Sequence, residues 1–393
     1  MSVSRHLRPR DGDEQTTTNL ELFFDLVYVF AVTQVSHVLL HDLGVASALK
    51  ATFLLVAIWW AWNYTTWLVN WFEPRSAPVR VVLLGVMLGS LVMAAALPQA
   101  FGRHALLFAL AYVAVQVGRN AAGMLLLHRP LPLRRTLERV LSWSVAAGVC
   151  WIAGGLSGGA VRTAFWIAAL AIDLLGPITL YATPGLGRET TEGWSVEGGH
   201  FADRFQAFVI IALGESVVIT GATASDAGLT GATVTALAVA FLQTATLWWL
   251  YFGEIAERAL ARMAGADDVG ALARDAYTYL HLPIVAGVIV SAAGAEFVVN
   301  EPGHHPSFAQ AAVLTIGPLL FLLGEVLVRL RMVRSLSSKR VVACAALLSL
   351  LLFATTLPMA AVFGLTTAVL VALAVVERIT DEYGSHSRAA VDA

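Results

Sequence analysis

The sequence predicts an all-α, polytopic membrane protein with about twelve transmembrane helices. Of its 393 residues, 58% are hydrophobic and only 13% are charged, whereas soluble domains carry about 25% charged residues. The mean hydropathy is +0.73. A soluble chain of this length would need more polar residues to cover its surface, so we expect the chain to be embedded in a lipid bilayer.

Apolar stretches of about 20 residues, the length that crosses about 30 Å of hydrocarbon, define the individual helices. A closed β-barrel would instead show strands of about ten residues that alternate apolar and polar side chains. Runs such as 341–353 are apolar on every face, which favours helices. The predicted spans are 20–40, 47–69, 79–100, 104–127, 138–156, 160–183, 201–222, 229–251, 271–293, 308–330, 341–357 and 359–377.

The basic residues predict how these helices are oriented. Suppose that the N-terminal tail and every second connection lie in the cytoplasm. The opposite side then has only three basic residues, Lys50, Arg103 and Arg162. Cytoplasmic loops carry the excess of Lys and Arg in membrane proteins. The pattern therefore predicts that both termini are cytoplasmic. The polar start of the chain lacks the apolar core of a cleavable signal peptide, so the first helix is expected to direct insertion.

The connections are too short to fold as soluble domains, and the cytoplasmic linker between helices 6 and 7 forms a natural midpoint. Two halves of six helices would face the same way, because an even number of crossings restores the orientation, as in transporters with parallel repeats. Whether the halves are a true duplication stays open. The predicted parts are a cytoplasmic N-terminal tail (1–19), a first half (20–183), a cytoplasmic linker (184–200), a second half (201–377) and a cytoplasmic C-terminal tail (378–393).

Helix 1 carries the densest set of ionisable residues. Glu21 and Asp25 are four residues apart, so they share one face near the cytoplasmic end, and His37 lies near the outer end. A charge in mid-bilayer costs roughly 3 kcal/mol, so each needs a partner or a wet cavity. One interpretation is a polar or proton-conducting pathway along helix 1. The other is that Glu21 and Asp25 lie at the headgroup boundary, where the positive N-terminal end of the helix dipole stabilises their charges.

Helix 7 opens with Asp203 and Arg204 and places Glu215 about 16 Å further along, near mid-membrane. A buried carboxyl without a basic residue within one turn stays protonated and can carry a proton or a cation. The alternative is a protonated Glu215 that hydrogen-bonds to a neighbouring backbone. Arg204 could neutralise Glu21 or Asp25 across the interface between helices 1 and 7.

Three other helices offer further candidates. Asp173 lies in helix 6 just before a Gly-Pro pair that can break the helix, and His281 precedes Pro283, which can kink helix 9. Both are candidates for the proton pathway, although a lone histidine is more often structural. Arg119, with two polar neighbours on helix 4, could form a polar patch or extend its charge to the membrane surface.

Composition and motifs exclude several functions. The net charge of −2 and the dispersed arginines give no nucleic-acid footprint. The two cysteines, Cys150 and Cys344, lie in apolar runs and offer neither a disulfide framework nor a zinc ribbon. Walker, Gly-x-Ser-x-Gly and His-Glu-x-x-His motifs are absent from the sequence. We therefore expect no catalytic residues, no metal site, no cofactor and no enzyme activity.

Two motifs resemble those of a known family, the bacterial low temperature requirement A proteins. The first is Glu21-Leu-Phe-Phe-Asp-Leu-Val-Tyr-Val-Phe-Ala31, running on to Ser36-His37, and the second covers Phe201-Ala-Asp-Arg-Phe205 through Leu213-Gly-Glu-Ser216. The segment Tyr277-Thr-Tyr-Leu-His-Leu-Pro283 is similar to a third. At Asp203 we expect Glu in relatives. The resemblance implies a multi-pass protein of the bacterial inner membrane, and it implies no substrate or reaction.

A second resemblance is architectural. Phe23-Phe24-Asp25 is similar to the Phe-Ser-Asp motif of endolysosomal and bacterial potassium channels with two six-helix repeats, but Phe205-Gln206-Ala207 in the second half is not. The leading prediction is a transporter of a small solute or ion, protons included, that uses intramembrane carboxyls. A cation channel built from two halves, with a homodimer as one arrangement, stays open. So does an intramembrane enzyme or lipid-handling protein that uses His281 and Glu215.

Overall fold

The computed structural model describes residues 6–9, 15–127, 132–255, 262–263 and 265–391, so the predicted tails lie partly outside the described residues. Its secondary structure is helical apart from turns and two isolated bridges in the described part of the chain. We number twelve helices in chain order. They are α1 (Asn19–His41), α2 (Val45–Trp71), α3 (Ala77–Ala96), α4 (Ala105–Leu126), α5 (Pro132–Leu156), α6 (Gly159–Ile178), α7 (Gly198–Ala227), α8 (Gly231–Leu250), α9 (Val269–Asn300), α10 (Phe308–Val333), α11 (Ser338–Leu351) and α12 (Met359–Val391).

The predicted fold class is confirmed. Eleven of the helices within the described residues are long and apolar enough to cross a membrane. The exception is α11, which was predicted to span 341–357. It has 14 residues and is followed by a short 3₁₀ turn at Ala354–Thr356. Fourteen residues rise about 21 Å, which is short of the hydrocarbon thickness of about 30 Å.

Helix α1 has a polar face that is buried and an apolar face that is exposed. It begins at a capping box, in which the Thr18 hydroxyl accepts from the Glu21 backbone N–H and the Glu21 carboxylate accepts from the Thr18 N–H. Glu21 and Asp25 lie on its buried face. Leu26 and Phe30 belong to an exposed apolar face, with 59% and 39% of their surface accessible. The polar face of α1 is therefore directed into the protein.

The first of two compact units contains residues 1–208 and 263–278. Within it α1 packs on α2 and α3, and α4 packs on α3 and α5. Its core is rich in aromatic side chains: Trp59 and Trp62 of α2, for example, contact the ring of Phe208. This unit contains most of the buried charged side chains considered below.

The second unit contains residues 209–262 and 279–393. Its closest helix pair is α9 and α10, where small residues let the backbones approach. A Cβ atom on Gly287 would lie 2.3 Å from the backbone N of Phe321, so no larger residue fits there. Arg340 is buried in this unit and donates to the carboxylates of Glu325 (2.5 Å) and Glu377 (2.8 Å).

Helix α9 changes its winding ahead of Pro283. Residues Ala273–Tyr279 form a π-helical segment, and regular α-helix resumes at His281. Because a proline has no N–H and its ring clashes with the carbonyl four residues earlier, Pro283 disfavours regular winding across Tyr279. The kink expected from the sequence takes the form of this segment.

Candidate functional site

The centre of the first unit contains a fully buried ion pair between α1 and α7. The guanidinium of Arg204 donates two hydrogen bonds to Asp25, at 2.6 Å and 2.7 Å, in a bidentate arrangement. The indole N–H of Trp62 donates a third to the same carboxylate at 2.8 Å. Asp25 and Arg204 each expose 0% of their surface. The predicted partner for Arg204 across this interface is therefore confirmed, and it is Asp25.

Glu21 lies one turn earlier on α1 and takes different partners. Arg8, in the segment before α1, donates to its carboxylate at 2.8 Å, and His200 lies 2.7 Å from the same oxygen. The other oxygen accepts from the N–H and hydroxyl of Thr18. Glu21 thus caps the helix, as one interpretation of the sequence proposed, and it also joins a buried ionic network.

The proton on His200 can be assigned from its neighbours. The Asn70 side-chain oxygen accepts from the Glu197 backbone N–H, which fixes the amide nitrogen toward His200. That nitrogen donates to Nδ1, so Nδ1 is an acceptor and the proton of the neutral ring lies on Nε2. Nε2–H then donates to Glu21 at 2.7 Å, and Arg8 Nη2, which donates to the same carboxylate oxygen, lies 3.0 Å from Nε2. A second proton on His200, at Nδ1, would point at the N–H of the Asn70 amide, so this contact favours the neutral ring.

We call Arg8, Glu21, Asp25, His200 and Arg204 the ion-pair cluster. With His200 neutral, the two arginines of the ion-pair cluster balance its two carboxylates. The members come from three separate pieces of chain, and Arg8 is brought in because Leu7 pairs with Phe72 at the end of α2. Arg8 also donates to the Val69 carbonyl at 2.7 Å. The cluster therefore ties the N-terminal segment, α1, α2 and α7 together within the first unit.

Asp173 lies in a second polar region of the same unit. Its Oδ2 accepts from the Tyr112 hydroxyl at 2.9 Å and from the Trp151 indole N–H at 3.1 Å. The Gln116 amide nitrogen donates to the Tyr112 hydroxyl in turn, while the Gln116 oxygen has no partner among the described residues. Asp173 is thus held by neutral donors, in contrast to Asp25.

Arg119 on α4 is buried and forms no ion pair with any described carboxylate, although Asp173 lies within electrostatic range of it. One nitrogen donates to the Ala61 carbonyl (3.3 Å) and the Thr65 hydroxyl (3.2 Å), and the guanidinium lies over the ring of Tyr64. Its Nε and Nη2 atoms have no hydrogen-bond partner among the described residues. These two atoms form the edge with which arginine grips a carboxylate. The side chain turns inward rather than reaching the membrane surface, since 1% of its surface is exposed.

An aromatic cavity lies beside Tyr64. It holds about 510 Å³ of empty space, its mouth included. Tyr181, which lines it, adopts a left-handed backbone conformation (φ 49°) that is uncommon for a bulky residue and often marks functional positions. The other lining residues are Asn63, Tyr64, Trp67, Leu68, Trp71, Asn120, Thr136, Leu137, Val140, Pro177, Trp194, Arg274 and Thr278.

Comparison with known proteins assigns the family. The profile of the bacterial low temperature requirement A protein (LtrA) family matches residues 16–375. The chain belongs to this family. A relative from Rhizobium meliloti (strain 1021), named Uncharacterized protein RA0937, is 37% identical over 319 residues, which cover 81% of this chain and 78% of the relative. No solved structure matches the chain. It is a multi-pass membrane protein, as its helices and this bacterial family indicate.

The first two of the segments that resemble motifs of the low temperature requirement A family meet in the ion-pair cluster. Glu21 and Asp25 come from the first, and Arg204 comes from the second. Asp203 is half-buried and lies within electrostatic range of Tyr277. His37, at the other end of α1, is exposed.

Two predicted residues of this family member lie in the second unit. Glu215 is buried on α7, with 5% of its surface exposed. His281 is buried on α9, and its Nε2 lies 3.1 Å from the Tyr251 hydroxyl. Their part in a pathway stays a prediction, as it does for Asp173, Asp203 and His37.

Some members of these sites did not emerge from the sequence as candidates. Arg8 lies in the polar N-terminal tail and was not among the predicted site residues. Asn63 has a buried amide nitrogen without a partner among the described residues, yet it stands in an apolar, tryptophan-rich helix. The signal available for Asn63 was the cost of a polar side chain in a membrane span, which makes such residues candidates by default.

Proposed function

We propose that this member of the low temperature requirement A family is a transporter that moves a small solute or ion across the bacterial inner membrane. Both termini would lie in the cytoplasm, and the carboxyls on α1 would exchange protons during transport. The observation that carries the proposal is the fully buried pair of Asp25 and Arg204, inside helices that are long enough to span the membrane.

The energetic argument starts from the cost of burial. Removing two ions from water costs several kcal/mol each, and well-packed apolar residues of similar volume often serve stability as well or better. Charged residues inside membrane helices are rare, and they typically mark substrate paths or proton relays. The ion-pair cluster holds two arginines and two carboxylates in this environment. Its charges are therefore better explained by function than by stability.

Protonation of Asp25 is the step that would change the packing of the helices. It would remove the negative charge that holds Arg204 and weaken the contact between α1 and α7. Transporters alternate between two packings, so they need contacts that break and re-form. Glu21 would retain Arg8 and the Thr18 cap meanwhile, which keeps the start of α1 in place. The cluster thus combines one contact that protonation releases with one that stays.

Reconstitution of the purified protein tests this proposal. Liposomes that contain a pH-sensitive dye receive a potassium gradient with valinomycin, and the lumenal pH is followed. We expect proton entry above that of empty liposomes, and a reduction of at least tenfold in Asp25→Asn. Glu301→Gln, at an exposed position after α9, is the matched control and should behave like the wild type.

Each outcome bears on the proposal. Lumenal pH that follows empty liposomes would overturn proton exchange, and equal rates in Asp25→Asn and wild type would remove Asp25 from the mechanism. Passive potassium flux at a high unitary rate, without saturation, would favour the channel alternative. Turnover of the surrounding lipid without flux would favour the enzyme or lipid-handling alternative.

A further inference from the structure

The aromatic cavity has the walls of a site for a flat apolar molecule. Its aromatic members are Tyr64, Trp67, Trp71, Tyr181 and Trp194, and its aliphatic members come mainly from α2 and α5. Aromatic walls favour aromatic ligands through offset and edge-to-face contacts, worth about 0.5–1.5 kcal/mol per pair beyond burial. Polar atoms form a small part of the lining, as in most small-molecule sites.

An unmatched donor stands in the wall of this cavity. The Asn63 oxygen accepts from the Thr278 hydroxyl at 3.2 Å, while its amide nitrogen has no acceptor among the described residues. The neighbouring Tyr64 hydroxyl accepts from Tyr181 at 2.8 Å. A buried donor without an acceptor costs about 1–3 kcal/mol. A ligand oxygen that accepts a hydrogen bond from this donor would remove that cost.

The charged side chains near the cavity indicate which kind of ligand oxygen it favours. Arg119 lies over the Tyr64 ring, 5.2 Å from its centroid, and forms no ion pair with any described carboxylate. Arg274, which lines the cavity, pairs with Asp275 at 2.6 Å. No aspartate or glutamate is found among the described lining residues. Asp173 lies within electrostatic range of Arg119 and Tyr64 but forms no ion pair with Arg119 among the described residues. The guanidinium edge that Arg119 leaves without a partner favours an anion over an ammonium group.

We propose that the aromatic cavity binds a small aromatic carboxylate. The ring lies among the tryptophans and tyrosines, and the carboxylate accepts from Asn63 and is held by the charge of Arg119. This inference goes beyond the proposed function, because a molecule can bind here whether or not the protein transports it. All the residues involved belong to the first unit.

Fluorine NMR on the wild-type protein in nanodiscs tests the charge and the oxygen without any variant. The probes are 4-fluorobenzoate, 4-fluorobenzamide, 4-fluorotoluene and 4-fluorobenzylammonium, which share a ring and differ in the polar group. Empty nanodiscs correct for partition into lipid. We expect saturable binding that weakens in the order benzoate, benzamide, toluene, with no saturable binding of the ammonium compound.

Variants then locate the binding site. Arg119→Gln should weaken 4-fluorobenzoate at least tenfold and leave 4-fluorotoluene within about twofold, whereas Arg119→Lys, which keeps the charge, should retain most of the affinity. Arg103→Gln makes the same change of charge at an exposed position between α3 and α4 and should bind like the wild type. Asn63→Leu should weaken both benzoate and benzamide.

Two results would overturn the inference. One is an absence of saturable benzoate binding to the wild type above that of empty nanodiscs. The other is equal affinity for the carboxylate and the ammonium compound, since the cavity would then not select an anion. Binding without any proton flux in liposomes would leave this site standing and count against transport alone.

Discussion

Two buried arginines in the same unit, Arg204 and Arg119, have opposite surroundings. Arg204 meets the Asp25 carboxylate with two short hydrogen bonds. Arg119 meets a carbonyl, a hydroxyl and an aromatic ring, and its Nε and Nη2 atoms have no partner among the described residues. Both expose 1% of their surface or less. Burial is thus the same in the two regions, and the pairing of the charge is what differs.

The difference separates two uses of a buried cation. A guanidinium whose charge is already neutralised holds helices together and acts only when that bond is broken. A guanidinium whose carboxylate-binding edge is vacant in the folded chain raises the energy of that chain until an anion arrives. The ion-pair cluster is therefore suited to a releasable contact, and Arg119 is suited to binding. Substitutions at each arginine should consequently change stability in opposite ways.

The largest expected effect follows from breaking the buried pair on one side only. Arg204→Met leaves Asp25 as an uncompensated buried charge, so we expect a loss of about 3–5 kcal/mol in the free energy of unfolding. The measurement is reversible unfolding in mixed detergent micelles, followed by circular dichroism.

The double variant Asp25→Leu with Arg204→Met provides the control. Because both charges are then absent, most of the lost stability should return, while proton flux in liposomes should not. If the double variant remained as unstable as the single one, the pair would be needed for packing rather than for its charge. Recovered flux would contradict the role proposed for Asp25.

An intermediate effect is expected at His200. His200→Phe removes the donor to Glu21 and the acceptor for Asn70, but Glu21 keeps Arg8 and Thr18. We therefore expect a loss of about 1–3 kcal/mol, the cost of leaving buried polar groups unmatched, in the same unfolding measurement. His37→Phe makes the same change at an exposed position and should be neutral. A loss as large as that of Arg204→Met would indicate that His200 carries a charge in the folded protein.

The fold could be predicted from the sequence because apolar length is a strong signal in membranes. The same signal misjudged α11, since hydropathy reports which residues can enter lipid and not where a helix ends. The pairing of Asp25 with Arg204 was also within reach, because opposite charges in two spans stabilise each other only in contact. These inferences depend on composition and cost, which the sequence contains directly.

The remaining parts of the sites depend on the tertiary arrangement. Arg8 reaches Glu21 because a backbone bridge between Leu7 and Phe72 holds the N-terminal segment against the end of α2. The periodicity of the sequence does not predict such a bridge. For Arg119 the sequence left two interpretations open, a polar patch or a side chain directed to the membrane surface. Only the packing of α2 against α4 shows that it turns inward and finds no carboxylate there.

The smallest expected change in stability, and the one of opposite sign, is at Arg119. Arg119→Met removes a buried charge that forms no ion pair with a described carboxylate, and it loses two long hydrogen bonds to α2. Relief of the burial cost should outweigh the loss of those bonds. The free energy of unfolding in the absence of ligand should therefore increase, by less than about 1 kcal/mol. The same variant should lose the stabilisation that millimolar benzoate gives the wild type, because a ligand stabilises only the state that binds it. A loss comparable to that of Arg204→Met would mean that the Arg119 charge is compensated in the folded chain, and the contrast between the two arginines would then disappear.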